Sequence, residues 1–213
     1  MPQVGFMPPV HSISVVWPHS VSRLMATSCH RFAEFCPLRY ILSDTFLDQL
    51  VLDGAIEGSK LKLLSLRSGK FHPSTTQDSR TRFLAMAASA ARTLSRLRIM
   101  EMWNTGPGYA YIFRYAKDNG RAMITWRRAG QDFSLTPVVL NAWAGVDSSG
   151  LLLVKRIQFA EADGEELWFN GKPIYRYLAL RRITLDPITV AQLVAEVVLQ
   201  HEMPTWWSPD DKG

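Results

Sequence analysis

The sequence predicts an α+β fold with two N-terminal helices, an antiparallel sheet of about five strands built from hairpins, and a C-terminal helix. Apolar residues follow a helical period between residue 43 and the Gly106-Pro107-Gly108 break, and beyond it they follow a period of two. The chain has 213 residues, 47% of them hydrophobic and 20% charged, which suffices for an ordinary core. We therefore expect one α+β domain, spanning residues 43–203.

Residues 1–42 are predicted to form a non-helical arm rich in proline and aromatic residues. Residues 1–22 carry no charge, as the apolar part of a secretory signal does. However, prolines interrupt this uncharged segment and no basic residue precedes it, so a secretory signal is excluded. Histidines and serines among the prolines exclude a membrane-spanning helix there. Two interpretations stay open: the arm docks on the body, or it precedes a true start at Met25.

Two helices follow the arm. Ser43 is a suitable N-cap for the first, which Gly54 and Gly58 weaken, so that it either breaks before Lys60 or continues towards Ser68. The second begins at Pro73 with a capping box from Ser74 to Gln77 and ends before Gly106. Its apolar stripe comprises Phe83, Met86, Ala87, Ala90, Leu94 and Leu97.

A β-hairpin is predicted from Tyr109 to Arg128. Asn119-Gly120 suits a two-residue type I′ turn, and that turn determines the register. With this turn, the numbers of any two residues that lie opposite each other on the two strands add up to 239. The pairs are Tyr115 with Ile124 and Phe113 with Trp126 on an apolar face, and Arg114 with Thr125 and Ile112 with Arg127 on the other.

Three further strands are predicted to form an antiparallel meander over residues 151–159, 166–169 and 174–183. Residues 133–140 are assigned to an edge strand because Pro137 lacks a backbone donor. A last helix runs from Asp186 to about His201. Residues 204–213 form a tail whose Trp206 and Trp207 either fold back on the domain or bind a partner.

Basic residues are concentrated in the middle of the chain. The net charge is −2 over residues 1–59, +11 over residues 60–130 and −4 over residues 131–213. Arginine dominates the middle block, and its planar guanidinium suits contact with phosphate. The alternative is a solvated or internally paired block.

Our first hypothesis is therefore a non-enzymatic accessory protein that binds nucleic acid. The arginines that we expect to carry this binding are Arg92, Arg96, Arg98, Arg121, Arg127 and Arg128. The second is an interaction or inhibitor protein that docks its basic face, or the Trp206-Trp207 tail, on an acidic partner.

The sequence lacks the common catalytic signatures, so no catalytic residue, metal site or cofactor is assigned. Ser68-Gly69-Lys70 resembles the end of a phosphate-binding loop but lacks its glycine spacing, and we expect a solvated turn. Cys29, His30 and Cys36 lack a fourth ligand for zinc. Two cysteines cannot form a disulfide framework and are typical of the reducing cytoplasm.

Four features carry a resemblance to a known group of proteins. They are a first helix ending near Ser68-Gly69-Lys70, an Ala/Arg-rich second helix, the break at 105–108 and a strand with Trp126-Arg127-Arg128. Over residues 44–130, this order resembles small uncharacterised accessory proteins of bacterial integrative and conjugative elements. The resemblance implies a mobile-element context and no established activity.

Overall fold

The computed structural model describes residues 19–37, 42–106, 108–118, 121–129, 133–146, 152–158, 174 and 177–184. Its helices are α1 (His19–Cys29), α2 (Ser43–Asp53), α3 (Gln77–Thr93), α4 (Pro137–Ala144) and α5 (Arg181–Thr184). Its strands are β1 (Glu34–Phe35), β2 (Leu63–Arg67), β3 (Ile99–Gly106), β4 (Tyr109–Asp118), β5 (Arg121–Ala129) and β6 (Leu152–Gln158). The predicted α+β class is confirmed.

The six strands form one mixed sheet in the order of the chain. β1, β2 and β3 are parallel, β4 is antiparallel to β3 and β5, and β6 is parallel to β5. The prediction of an antiparallel sheet is therefore wrong for three of the five pairings. The reason is that α2, α3 and α4 each connect two neighbouring strands, and a helical crossover returns the chain in the parallel direction.

The predicted hairpin register is confirmed along β4 and β5. Tyr115 pairs with Ile124 and Phe113 with Trp126, and the pairs sum to 239 as expected. Local turn chemistry sets this register, so the prediction did not depend on the rest of the fold.

The first face of the sheet packs against α1 to α4. An aromatic cluster lies at its centre, where the Trp126 ring contacts four other rings and its Nε1–H donates to the Phe133 carbonyl at 3.1 Å. Tyr109, Tyr111 and Tyr115 also point into this core. Their rings are therefore unavailable for stacking on bases.

The second face is covered by Ile174 and residues 177–184. Leu178 packs against Trp103 and Ile112 of the sheet. Beneath this cover, Arg114 Nε donates to Glu101 Oε2 at 2.8 Å, and both side chains are buried. The Glu101 carboxylate also accepts the backbone N–H groups of Ala179 and Leu180, at 2.9 and 3.2 Å. The buried ion pair thus anchors the segment to the sheet.

The N-terminal half differs from the expectations in several places, among them the N-cap of α2, which is Leu42 and not Ser43. Residues 19–37, placed in the arm, include α1 and β1, and α1 contributes Ala26 and Cys29 to the core. α2 ends at Asp53, and residues 63–67 form β2, because the weak helical pattern there is a buried strand. The second helix ends at Thr93, and β3 replaces its predicted last turns. Its N-cap is Thr76, not Ser74.

The C-terminal half differs as well. Residues 137–144 form α4 in place of an edge strand, because Pro137 occupies the first helical turn behind the Thr136 cap. β6 confirms a strand within 151–159, but residues 178–184 form a turn and α5 in place of a strand. The strand at 166–169, the helix from Asp186 and the tryptophan tail lie outside the described residues. Among those described, no helix is both long and apolar enough to cross a membrane.

Candidate functional site

Six basic residues gather at one edge of the sheet, where β2, β3 and β5 begin and β4 ends. The register brings these strand ends together, since Leu63 pairs with Ile99, Ile99 with Ala116 and Asp118 with Arg121. We call this surface the basic edge; it comprises Lys60, Lys62, Arg96, Arg98, Lys117 and Arg121.

Three of these residues form a row across neighbouring strands. The Arg98 N–H donates to the Lys62 carbonyl at 2.8 Å, and the Lys117 N–H donates to the Arg98 carbonyl at 2.7 Å. Neighbouring strands lie about 4.8 Å apart, so the three backbones span about 10 Å. The row is therefore a compact line of positive charge.

The residues of the basic edge differ in their exposure to solvent. Asp118 lies 3.9 Å from the Arg98 guanidinium, near the limit of an ion pair. Lys60, Arg96 and Arg121 are exposed, while Lys62, Arg98 and Lys117 are half-buried. Long basic side chains in this position keep their charged ends in water.

The six predicted arginines do not share one surface. Arg96, Arg98 and Arg121 lie on the basic edge. Arg92 lies at the same end of the molecule, on the last turn of α3, but its guanidinium lies beside Gly145 at the end of α4. Its Nη2 donates to Ser89 Oγ at 2.9 Å.

The other two arginines, on β5, lie away from the edge. Arg127 is buried on the second face, and its guanidinium lies 5.2 Å from the centre of the Tyr177 ring. Arg128 is half-buried and lies opposite Tyr111 in the register of β4 and β5. We therefore exclude Arg127 from the candidate interface, because Ile174 and residues 177–184 cover its face. Trp206 and Trp207 lie outside the described residues.

Several cations of the basic block are used inside the fold. The buried Arg80 guanidinium lies 5.4 Å from the Tyr111 ring and 5.1 Å from the Phe133 ring, and it donates to the carbonyls of His72 and Pro73. Arg114 pairs with Glu101, Arg82 with Asp78 and Lys70 with Asp44. The basic edge includes the lysines Lys60, Lys62 and Lys117, which the arginine-based prediction left out.

The two cysteines are not activated thiols. Burial and the nearby charge of Asp53 raise the pKa of the Cys29 thiol to about 12. Burial also raises the pKa of Cys36. Because the thiolate is the reactive form, neither side chain is a nucleophile near neutral pH. Within the described part of the chain, no three His, Cys, Asp or Glu side chains cluster as metal ligands.

His30 makes the fold sensitive to acid. Its Nδ1 lies 3.1 Å from Ser59 Oγ, while its buried Nε2 has no hydrogen-bond partner among the described residues. Burial lowers the pKa of His30 below its ordinary 6.5, against a smaller opposing effect of Asp53. The unfolded chain therefore takes up a proton more readily than the folded chain as the pH falls below about 6.5.

We expect the free energy of unfolding to fall more between pH 7.5 and pH 5 in the wild type than in His30→Gln, measured by urea denaturation. His72→Gln removes an exposed histidine and is the control, which should keep the wild-type pH profile. Parallel profiles for the wild type and His30→Gln would contradict the prediction.

Comparison with protein families identifies one match, a family of unknown function, DUF6546, over residues 12–184. The chain belongs to this family. The match includes all the helices and strands described above, so the fold and the basic edge lie within the DUF6546 region. No curated protein and no solved structure matches the chain. The family description states no activity.

Proposed function

We propose that this chain is a non-enzymatic protein that binds the nucleic-acid backbone through the basic edge. The observation that carries the proposal is the row of Lys62, Arg98 and Lys117, whose backbones are joined by hydrogen bonds across three strands. Because the sheet holds these backbones rigidly, the row presents its charges at defined spacing.

The proposed contact is with phosphates, not with bases. Duplex DNA carries one negative charge per about 1.7 Å of its axis, so a row about 10 Å long faces several phosphates at once. The aromatic side chains of β4 and β5, which could stack on bases, lie in the core. We therefore expect binding that depends little on base sequence and strongly on salt.

The test measures binding of a fluorescent DNA duplex by anisotropy at salt concentrations between about 50 and 300 mM. Arg96→Gln/Arg98→Gln/Arg121→Gln removes three cations of the basic edge. Each lost phosphate contact reduces the magnitude of the slope of log K against log salt by about 0.9. The slope of the triple variant should therefore be smaller in magnitude by about 2–3 than that of the wild type. Its affinity at low salt should fall at least about tenfold.

The matched control is Arg23→Gln/Arg82→Gln/Arg156→Gln, which removes three exposed arginines outside the basic edge. This variant has the same net charge as the test variant and should keep most of the wild-type slope. The proposal fails if the two variants weaken equally or if the wild type does not bind. Equal binding of a poly-glutamate chain of matched charge would instead favour an acidic protein partner.

The wider context that we propose is that of an accessory protein of a bacterial mobile element in the cytoplasm. It depends on the sequence resemblance over residues 44–130 and on the two free cysteines. The DNA-binding test above does not depend on this context.

A further inference from the structure

A cavity lies at the opposite edge of the sheet from the basic edge. It has a volume of about 490 Å³ and is located where β2 ends, between the starts of α2 and α3. In sheets with parallel strands and helical crossovers, ligands bind beyond the carboxyl ends of the strands. The polar residues that line this α2–α3 cavity are Ser43, Asp44, Lys70, Thr75, Thr76 and Ser79.

The strand-to-helix context that the sequence did not reveal is present here. Ser68 follows β2, Gly69–Phe71 form a 3-10 turn, and α3 begins at Gln77. The solvated turn expected for Ser68-Gly69-Lys70 is thus a wall of the cavity, with Ser68 itself fully buried.

Among the residues that the structure describes, none accepts the second hydrogen of a buried hydroxyl pair. Ser43 Oγ lies 2.7 Å from Ser68 Oγ, and Ser68 Oγ also accepts the Lys70 N–H at 3.2 Å. The two hydroxyls carry two hydrogens, and their mutual bond uses only one. No second acceptor is present among the described residues. When Ser68 donates, the unused hydrogen belongs to Ser43, which is only 4% exposed and lines the cavity.

Other donors converge on the same space. The N-cap of α2, Leu42, has no side chain that caps the first N–H groups, and the expected Ser43 cap is absent because its hydroxyl bonds to Ser68. Lys70 Nζ lies at the cavity, 3.0 Å from Asp44 Oδ2. An acceptor-rich anion would satisfy the hydroxyl, the backbone donors and the ammonium together, in competition with Asp44.

We propose that the α2–α3 cavity binds a phosphate group, either inorganic phosphate or a terminal phosphomonoester. Lys70 then exchanges Asp44 for the ligand, and Ser43 donates its unused hydrogen. Because Asp44 competes with the anion and Lys70 attracts it, their substitution has opposite effects on affinity.

Isothermal titration with inorganic phosphate tests the site. Asp44→Asn should bind about three to five times more tightly, since it removes an exposed ion-pair partner. Lys70→Met should bind at least about tenfold more weakly and Ser43→Ala about fivefold more weakly. A gain of affinity in Asp44→Asn cannot arise from misfolding.

Asp78→Asn and Arg82→Met are the matched controls, because they remove the same charges from an exposed pair on α3. Both should bind phosphate as the wild type does, as should the triple variant of the basic edge. No saturable binding by the wild type, unchanged or weaker binding by Asp44→Asn, or wild-type binding by Lys70→Met would each overturn the proposal.

A second titration identifies the source of the phosphate. A 5′-phosphorylated dinucleotide is compared with its 5′-hydroxyl counterpart in the wild type and in Lys70→Met. Tighter binding of the phosphorylated form, lost in Lys70→Met, supports the site with a nucleic-acid end as ligand. Binding of inorganic phosphate without that preference supports the site with free phosphate as ligand.

Discussion

Trp126→Ala is expected to lower the free energy of unfolding by about 3–5 kcal/mol. The Trp126 side chain is 2% exposed and lies between the rings of Phe71, Tyr111, Phe113 and Phe133. Its removal leaves a cavity that four rings on three different elements cannot close, so the cost lies in the upper part of the range for large-to-small changes.

Urea denaturation followed by circular dichroism measures this loss. Trp126→Phe keeps an aromatic ring at this position and removes the bond to the Phe133 carbonyl, at a cost of about 1 kcal/mol plus some loss of packing. Leu153→Ala on β6 is the control; this side chain is 65% exposed, and the change should stay within about 0.5 kcal/mol. A Trp126→Ala cost no larger than that of Leu153→Ala would refute the packing described here.

Arg114→Met is expected to lower the free energy of unfolding by about 3–5 kcal/mol. The reason is that the Glu101 carboxylate, which is fully buried, loses its counter-ion. Arg114 also donates to the Tyr177 carbonyl, so the same change weakens the anchor of residues 177–184.

Adding Glu101→Gln to Arg114→Met should recover part of this loss. The amide is neutral, and its oxygen still accepts an N–H from Ala179 or Leu180. Arg82→Met, which breaks the exposed pair with Asp78, should cost at most about 1 kcal/mol. If Arg114→Met costs as little as Arg82→Met, or if the second change gives no recovery, the buried pair is not the anchor that we describe.

The parts of the fold that were predictable are those governed by short-range chemistry. The β4–β5 register follows from Asn119-Gly120, and the stripe from Phe83 to Ala90 follows from helical periodicity. β2 and β3 were missed because both are buried runs in a stretch with helical spacing, and a short apolar run does not reveal whether it is helix or strand.

The candidate sites were predictable only in part, for the same reason. The charge count located the basic block, and Arg96, Arg98 and Arg121 proved to lie together. Strand pairing alone joins Lys62 to Arg98, 36 positions further along the chain, and Arg98 to Lys117, 19 positions further still. No local pattern marks Ser43 and Ser68 as neighbours either, since they meet only when α2 folds back and β2 joins the sheet.

By itself, the sequence determined the α+β class, the hairpin and the concentration of positive charge in residues 60–130. Only the tertiary structure decided the strand directions, and which arginines face water. Arg127 and Arg98 belong to the same charge block, yet one lies under Tyr177 and the other on the basic edge. The physical reason is that turn preference and periodicity act over a few residues, whereas burial depends on segments that are distant in the chain and meet only on folding.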